Sequence, residues 1–359
     1  MLICVELWFL FFAVLSARAD VLDSYVHDLL ETNHLPGLSL AIIQSNQIVR
    51  VAAYGFADRE SRTPVTTNTL FQAGSISKPV STLGALRLVE LGQLSLDEDV
   101  NAKLRSWKVP ENKFTKTEKA TLSRILSHNA GLSVHGFRGY AFGEAVPTLL
   151  QVLDGRSPAN SSPIRVNIIP GSSVRYSGGG FTVMQQLVID VTGKSFSQYL
   201  NTCVLQPLGM TNSTFDQPIP EAKAPDAAHG YYANGSPVKH GWHTYPEIAA
   251  AGLWTTPSEL ARYVIAVQQS FSGKCAPVIS QALTIEMLTP QKENVGLGLM
   301  LSHHYFAHDG RNEGFDALLI GNTETGSGLV LMLNANDDTG VLQSLKKFIA
   351  REYRWLRSE

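Results

Sequence analysis

One serine and one lysine, three positions apart, are the side chains of this sequence best placed for nucleophilic chemistry. The stretch from Phe71 to Val80 passes from apolar residues through Gly74 to Ser75, and Lys78 follows. The apolar residues beyond them recur at helical spacing: Val80, Leu83, Leu86, Val89 and Leu91. The pattern predicts a buried helix that begins at or just after Ser75.

This placement gives both side chains a chemical role. Pro79 has no N–H and is tolerated only in the first turn of a helix, so it places Ser75 at the helix N-terminus. The free N–H groups at that end stabilise an oxyanion that develops beside the hydroxyl. Lys78 lies one turn away on the same face, and its amine can take the hydroxyl proton if burial keeps it neutral. The S-x-x-K pattern is common by chance, so its interpretation depends on partners elsewhere in the chain.

Two further stretches supply such partners. Between Pro170 and Gly180, Tyr176 precedes three glycines, which allow a backbone to come close to a ligand. From His308 to Phe315, a polar segment punctuated by glycine leads into a strand. With the S-x-x-K pair, these stretches resemble the motifs of the serine β-lactamase and penicillin-binding-protein superfamily, in particular its class C β-lactamase, D-Ala-D-Ala carboxypeptidase and esterase branch. The resemblance covers nearly the whole chain from residue 20 onward.

The resemblance implies a role for each matching residue. Ser75 would be the acylated nucleophile, Lys78 its amine partner, and Tyr176 the phenol of the second motif, acting as base or protonating the leaving group. The backbone N–H groups of Ser75 and Arg311 would form the oxyanion hole. The substrate would be bound by further residues of the motifs: Gly178, His308, Asp309 and Gly310. If Lys78 stays charged, Tyr176 is the base and nearby cations must lower its pKa; if Lys78 is neutral, it is the base itself.

Two positions depart from the family pattern. The second motif of β-lactamases ends in an asparagine that hydrogen-bonds the substrate amide, but Gly178 stands there in this chain. The third motif is usually Lys-Thr-Gly, whose cation and hydroxyl hold a substrate carboxylate, whereas here it reads His308-Asp309-Gly310. A histidine is cationic only near or below a pKa of about 6.5, so the fixed positive charge is lost. Arg311 could restore carboxylate binding only if its side chain, and not just its backbone, faces the site.

The function predicted on this basis is a serine hydrolase with an acyl-enzyme on Ser75, acting on a small-molecule ester, amide or β-lactam. Both departures favour carboxylic esters or peptide-like amides as substrates. The alternatives are a true β-lactamase or D-Ala-D-Ala carboxypeptidase and, from another class, a binding protein that keeps the fold without activity. No cofactor or metal is expected: His303, His304 and His308 would be divided between opposite faces of a strand.

Composition and the N-terminus bound the class of protein. The 359 residues carry a formal net charge of −2 and are 17% charged, so neither nucleic-acid nor membrane-surface binding is predicted. An apolar block from Leu7 to Leu15 precedes a small-residue cleavage site at Ala17-Arg18-Ala19, so residues 1–19 are interpreted as a signal peptide of a secreted or periplasmic protein. The block is shorter than the roughly 20 apolar residues that a bilayer span needs. Cys203 and Cys275 could form a disulfide or remain separate thiols.

The predicted fold is α+β, with an antiparallel sheet built from both chain ends, flanked by the N- and C-terminal helices, and a mostly helical middle lobe. A helical stripe over residues 21–30 precedes two strand patterns, Leu38 to Gln44 and Ile48 to Tyr54. Before a last amphipathic helix, the C-terminal part returns to strand patterns: Gly296 to Ser302, Phe315 to Asn322 and Gly328 to Asn334. Residues 20–359 are expected to form one two-lobed domain, with the helical lobe at roughly 93–295 and the active site between the lobes.

Overall fold

Strands from both ends of the chain form the central sheet. The computed structural model describes residues 21–355, and the structural statements below refer to that part of the chain. Its strands are β1 (Gly37–Gln44), β2 (Gln47–Asp58), β3 (Thr63–Pro64), β4 (Phe71–Gln72), β5 (Trp254–Thr255), β6 (Met300–Ser302), β7 (Tyr305–Asn312), β8 (Phe315–Asn322) and β9 (Gly328–Leu333). Seven of them form an antiparallel sheet in the order β3-β2-β1-β9-β8-β7-β6, and β4 pairs with β5. The predicted fold class is confirmed.

Ten α-helices surround this sheet in the described residues. They are α1 (21–32), α2 (Ser77–Glu90), α3 (Leu122–Leu126), α4 (Leu149–Asp154), α5 (Gly178–Thr192), α6 (Phe196–Leu200), α7 (Ile248–Ala251), α8 (Pro257–Phe271), α9 (Gln281–Met287) and α10 (Val341–Glu352). Residues 93–295, which were expected to form the helical lobe, contain α3 to α9 and the short strand β5.

The sheet separates two hydrophobic cores. Because β1 is a central strand, its alternating side chains are buried on both faces. Leu40 and Ile42 pack in a cluster with residues of α1 and α10, whereas Ala41 and Ile43 belong to the larger core that includes α2, α5 and α8. The terminal helices therefore cover one face of the sheet, and the helical region covers the other.

The helix that follows Ser75 lies inside the larger core. A 3-10 turn, Gly74–Ile76, carries Ser75 and leads directly into α2, which begins at Ser77. Its residues are buried from Ser77 through Leu86, so it has no solvent-facing stripe over that length. Pro79 lies in the first turn, where its missing N–H has no intrahelical partner to lose.

The strand patterns found in the sequence did not include β7, although a strand was expected for His303, His304 and His308, and the composition of β7 explains why. His308 lies on β7, whereas His303 and His304 lie in the turn before it. Along β7, every second residue is buried: Phe306, His308, Gly310 and Asn312. The residues between them are exposed or half-buried. Three of these four inward residues are polar or glycine because this part of the strand borders a cavity instead of the apolar core. The hydrophobic alternation by which a strand is recognised is therefore missing.

Two further expectations concern the cysteines and the membrane. Both thiols are free, with Cys203 half-buried and Cys275 exposed, so the structure has the separate-thiol alternative. Within residues 21–355, no helix combines the length and apolar character needed to cross a bilayer. The proposed signal peptide, residues 1–19, lies outside the described residues and stays a prediction.

Candidate active site

Two glycines bring β7 against the turn that carries Ser75. Gly74 has a φ of 51°, and a Cβ there would lie 2.5 Å from the backbone nitrogen of Arg311. A Cβ on Gly310 would lie 2.0 Å from the carbonyl oxygen of Ala73. No other residue type fits either position without moving the backbone. The close approach of the third motif to Ser75 therefore depends on both glycines.

The edge of β7 that meets this turn is not paired with another strand. β6 pairs only with residues 305–307, and β7 joins β8 through the two-residue turn Glu313-Gly314. In a two-residue hairpin the residues that flank the turn, here Asn312 and Phe315, form a hydrogen-bonded pair. The next pair, Arg311 and Asp316, is then a non-hydrogen-bonded pair, so the N–H of Arg311 is directed away from β8. It lies on the edge that contacts the Ser75 turn, as an oxyanion hole formed with the N–H of Ser75 would require.

Lys78 is buried and contacts Ser75 directly. Its Nζ lies 2.9 Å from Ser75 Oγ and 2.9 Å from the carbonyl oxygen of Ala250, which immediately precedes the end of α7. The side chain is 1% exposed. Burial disfavours the charged amine and lowers the pKa of Lys78 to about 7. At neutral pH the amine next to the serine hydroxyl is therefore present in both protonation states.

Tyr176 lies beside this pair and remains a phenol. Its ring centroid is 4.9 Å from Lys78 Nζ. Burial raises the pKa of Tyr176, and the charge of Asp309 acts in the same direction, while hydrogen bonding with Ser75 opposes both. The structure therefore does not favour the alternative in which Lys78 and nearby cations lower the pKa of Tyr176 so that it acts as the base.

Two buried histidines flank Tyr176, with ring centroids 4.2 Å away for His128 and 6.0 Å for His308. Burial and then the charge of Lys78 lower the pKa of His308 to about 3. Its Nδ1 lies 2.6 Å from the carbonyl oxygen of Asp309, which can only accept, so Nδ1 carries the proton and Nε2 is an acceptor. The third motif therefore presents a neutral imidazole at neutral pH.

His128 holds the second motif in place, a role that sequence reasoning missed. Its Nδ1 accepts a hydrogen bond of 3.1 Å from the backbone N–H of Ser177, next to Tyr176. Burial, followed by the charge of Lys78, lowers the pKa of His128 well below its usual range, so the ring is neutral. The residue has a φ of 58°, which is uncommon for residues other than glycine, although histidine adopts it more often than most. No spacing rule in the sequence links His128 to Ser177.

The remaining motif residues are placed differently from one another. The side chain of Arg311 is exposed and turned to acidic partners, with Nη2 2.8 Å from Asp338 Oδ1 and Nη1 3.6 Å from Asp316 Oδ2. Gly178 begins α5, where a Cβ would lie 3.1 Å from the carbonyl oxygen of His135. Gly178 is therefore closely packed, whereas Asp309 borders the cavity beside Ser75.

Two cavities meet at Ser75. One, of about 410 Å³, lies along β7 and the start of α10 and includes Tyr176, His308 and Asp309 in its lining. The other, of about 380 Å³, is bordered by Lys78, Asn312 and Glu313, among others. The exposed side chain of His135 borders both cavities and was not singled out from the sequence. A substrate with its carbonyl carbon at Ser75 Oγ can thus extend in two directions.

Comparison with known proteins places this site in a family. The family model Beta-lactamase matches residues 22–353, so the chain belongs to the Beta-lactamase family. Among solved structures, D-alanine carboxypeptidase AmpC from Burkholderia cenocepacia superposes with a TM-score of 0.74 at 18% identity, covering 95% of this chain and 99% of that one. A penicillin-binding protein homologue from Pyrococcus abyssi gives a TM-score of 0.73 at 21% identity, over 93% of this chain and 77% of the other. At these identities the likeness shows the fold.

Sequence relatives include enzymes and longer proteins. Protein flp from Staphylococcus aureus strain N315 is 24% identical over 330 residues, which are 88% of this chain but 63% of that protein. The chain thus spans less than two thirds of the length of this relative. Esterase EstB from Burkholderia gladioli is 30% identical over 220 residues, covering 58% of this chain and 54% of the esterase. The chain is therefore a member of a serine β-lactamase-fold family that includes hydrolases.

The contact between Gly310 and Ala73 leads to a test with a matched control. Gly310→Ala should displace β7 from the Ser75 turn and lower kcat/KM for an ester by about a hundredfold, because small misplacements of catalytic groups are that costly. Gly180→Ala, in α5, is the control: its Cβ would have its nearest neighbours at 3.6 Å, an ordinary contact, so we expect an active and equally stable protein. Steady-state kinetics and circular dichroism of both variants check this, and full activity in Gly310→Ala would contradict it.

Proposed function

We propose that this protein is an exported serine hydrolase that forms an acyl-enzyme on Ser75 and releases the acyl group to water. Its substrates are carboxylic esters or peptide-like amides. The supporting observation is the 2.9 Å contact between Lys78 Nζ and Ser75 Oγ, in surroundings that lower the pKa of Lys78 to about 7. Near neutral pH about half of the molecules then carry an uncharged amine whose lone pair can accept the hydroxyl proton.

The order of the two pKa values supports Lys78 as the base and Tyr176 as the acid. In acylation, Ser75 Oγ bonds to the substrate carbonyl carbon while its proton passes to Lys78 Nζ. The carbonyl oxygen becomes negative and accepts hydrogen bonds from the N–H groups of Ser75 and Arg311. Tyr176, protonated because its pKa is raised, donates its proton to the leaving oxygen or nitrogen and recovers one from Lys78. In deacylation, water attacks the acyl carbon and its proton passes to the neutral Lys78 amine; Lys78 then returns a proton to Ser75 Oγ as its bond to the acyl carbon breaks.

The third motif favours neutral substrates over carboxylates. His308 is uncharged at neutral pH, because burial and the charge of Lys78 lower its pKa to about 3. The Arg311 guanidinium is bound to Asp338, 2.8 Å away. A substrate carboxylate would therefore lack the cation that a Lys-Thr-Gly motif supplies, which supports an esterase-like or amidase-like role over a dedicated β-lactamase. The 30% identity to an esterase over 220 residues agrees with this proposal.

Substitution of the nucleophile tests the proposal and its non-catalytic rival. Ser75→Ala should lose several orders of magnitude in kcat with the fold intact, because oxyanion stabilisation and binding alone leave only about 10³- to 10⁴-fold acceleration over water. A fluorophosphonate should add its mass to Ser75 in the wild type and not in the variant, as seen by peptide mass spectrometry. An unlabelled, inactive wild type would instead support a binding protein that retains the fold.

The pKa of Lys78 predicts how activity depends on pH. Because the neutral amine is the base, kcat/KM for an uncharged ester should rise with pH and level off above a midpoint of about 7. The pKa of His308, at about 3, is too low to contribute to this limb, and the raised pKa of Tyr176 moves its loss of activity to strongly alkaline solution. Rates measured between about pH 5 and 9 check this. Activity that falls through this range would exclude Lys78 as the base.

A cation restored at the third motif should change substrate preference. His308→Lys should improve acylation by an anionic β-lactam by about ten- to hundredfold, the value of one charge-assisted hydrogen bond, and change a neutral ester much less. Acylation rates for a cephalosporin and an aryl ester measure the two effects. If the wild type already hydrolyses both equally well, and Arg311→Ala loses only the cephalosporin activity, then Arg311 supplies the cation and the esterase preference is wrong.

A further inference from the structure

The side chain of Asn312 joins the segments that hold the reacting groups. Its Nδ2 donates to Gln72 Oε1 at 2.8 Å and to the carbonyl oxygen of Ala251 at 3.1 Å. Gln72 ends β4, shortly before Ser75, and Ala251 ends α7. Asn312 ends β7 and follows Arg311, whose N–H belongs to the proposed oxyanion hole. One amide on β7 is thus bonded to the strand before the nucleophile and to the helix beside the base.

Carbonyl acceptors fix the orientation of both amides. The carbonyl oxygen of Ala251 can only accept, so the nitrogen of the Asn312 amide must face it. The same argument holds for Gln72, because its Nε2 donates to the carbonyl oxygen of His243 at 2.8 Å. Gln72 Oε1 then faces Asn312 as an acceptor. The two side chains therefore form one ordered chain of donors and acceptors.

Both amides are buried, so water cannot take the place of their hydrogen bonds. Gln72 is 1% exposed and Asn312 is 4% exposed. Without the Asn312 nitrogen, the acceptors on Gln72 and Ala251 would lose a donor where solvent does not reach, which costs more than the net value of the bonds. The backbone of Asn312 is also held, since Asn336 Nδ2 donates to its carbonyl oxygen at 2.8 Å. The Asn312 amide therefore holds β7 against both β4 and α7.

The bond to Gln72 acts on the oxyanion hole. The N–H groups of Arg311 and Ser75 can stabilise one oxyanion only if their spacing is kept. The glycine contacts between β7 and the Ser75 turn limit how near the strand can come. The bond from Asn312 to Gln72 limits how far it can move away, on an edge where no other strand pairs with it.

The bond to Ala251 acts on the base. Lys78 Nζ donates to the carbonyl oxygen of Ala250, the residue before Ala251. The helix α7 has only four residues, so its last carbonyl groups need partners outside the helix. The Asn312 amide supplies one of these partners and so restrains the end of α7 that carries the acceptor of the Lys78 amine.

We propose that Asn312 is a positioning residue for hydrolysis at Ser75, which holds the Arg311 N–H and the Ala250 carbonyl in place around the nucleophile. It acts through these two groups and not by contact with the reacting atoms. This role rests on the proposed serine hydrolase function. Removal of the amide should therefore weaken binding of the transition state and leave binding of the unreacted substrate nearly unchanged.

The substitution Asn312→Leu has a matched control at the other end of β8. Leucine has the branching of asparagine without its polar atoms. Gln268 on α8 is also a buried amide whose nitrogen donates to two carbonyl oxygens, those of Asn322 at 3.0 Å and Ser327 at 2.7 Å. Gln268→Met should lower the melting temperature as Asn312→Leu does and keep full activity. Asn312→Leu should lower kcat/KM for an aryl ester by about ten- to hundredfold, because displaced catalytic groups are that costly.

Two competitive inhibitors separate positioning from a loss of stability. Phenylboronic acid forms a bond from Ser75 Oγ to boron, the hydroxyl proton passes to Lys78, and an oxygen of the anionic boronate occupies the oxyanion hole. Benzamide binds without forming a bond. In Asn312→Leu the Ki of phenylboronic acid should rise about ten- to hundredfold, in step with the fall in kcat/KM, and that of benzamide by less than about twofold. An unchanged Ki for the boronic acid, or equal changes for both inhibitors, would overturn the proposal.

Gln72→Met tests the same contact from β4, and its inhibitor constants decide the matter if Asn312→Leu does not fold. It should show the same selective loss for the boronic acid, and the losses in the double variant should be smaller than their product, because both changes remove one shared bond. Full activity in either folded variant would overturn the role of Asn312 and leave the hydrolase in place. A wild type that neither hydrolyses esters nor is labelled at Ser75 would instead contradict the hydrolase, and this role with it.

Discussion

The burial of the Lys78 amine against Ser75 is the interaction on which the site depends. Removing an ammonium from water is unfavourable, and here the stabilising contacts are one hydroxyl and one backbone carbonyl, that of Ala250. The consequence is an amine with a pKa of about 7, which can act as a base at neutral pH. This environment exists because α2 enters the larger core at its first turn and α7 packs beside it, so the start of a buried helix positions nucleophile and base.

The same constraint explains the neutral surroundings of the pair. Lys78 lowers the pKa of both His128 and His308, and burial does so more strongly, so neither imidazole competes for the charge. The two rings are fixed in different tautomers, because His128 Nδ1 accepts from Ser177 and His308 Nδ1 donates to Asp309. Tyr176 lies between a ring that presents an N–H and a ring that presents a lone pair. Such a setting keeps the phenol protonated, so that Lys78 changes its proton near neutral pH while Tyr176, His128 and His308 do not.

The sequence predicted the elements well where the physics is local and poorly where it is not. Strands β8 and β9, the helix after Ser75 and the contact between Ser75 and Lys78 follow from periodicity and one-turn spacing. The strand β7 was missed because its inward residues face a cavity, and the role of His128 depends on a backbone donor 49 positions away. The sequence left the direction of the Arg311 side chain open. That direction depends on Asp316 and Asp338, which are brought close to Arg311 by the packing of β8 and of the segment before α10.

Several unfavourable features of the structure lie at the site. His128 has a positive φ, and the buried Nε2 atoms of His128 and His308 lack partners in the described residues. Each of these costs free energy, and positions of this kind persist only where the surrounding structure determines them. Here that structure consists of a seven-stranded sheet with an apolar core on each face, and the site lies at one end of its β7 edge. The site thus keeps unsatisfied groups close to Ser75 and Lys78, inside a fold with an apolar core on each face of its sheet.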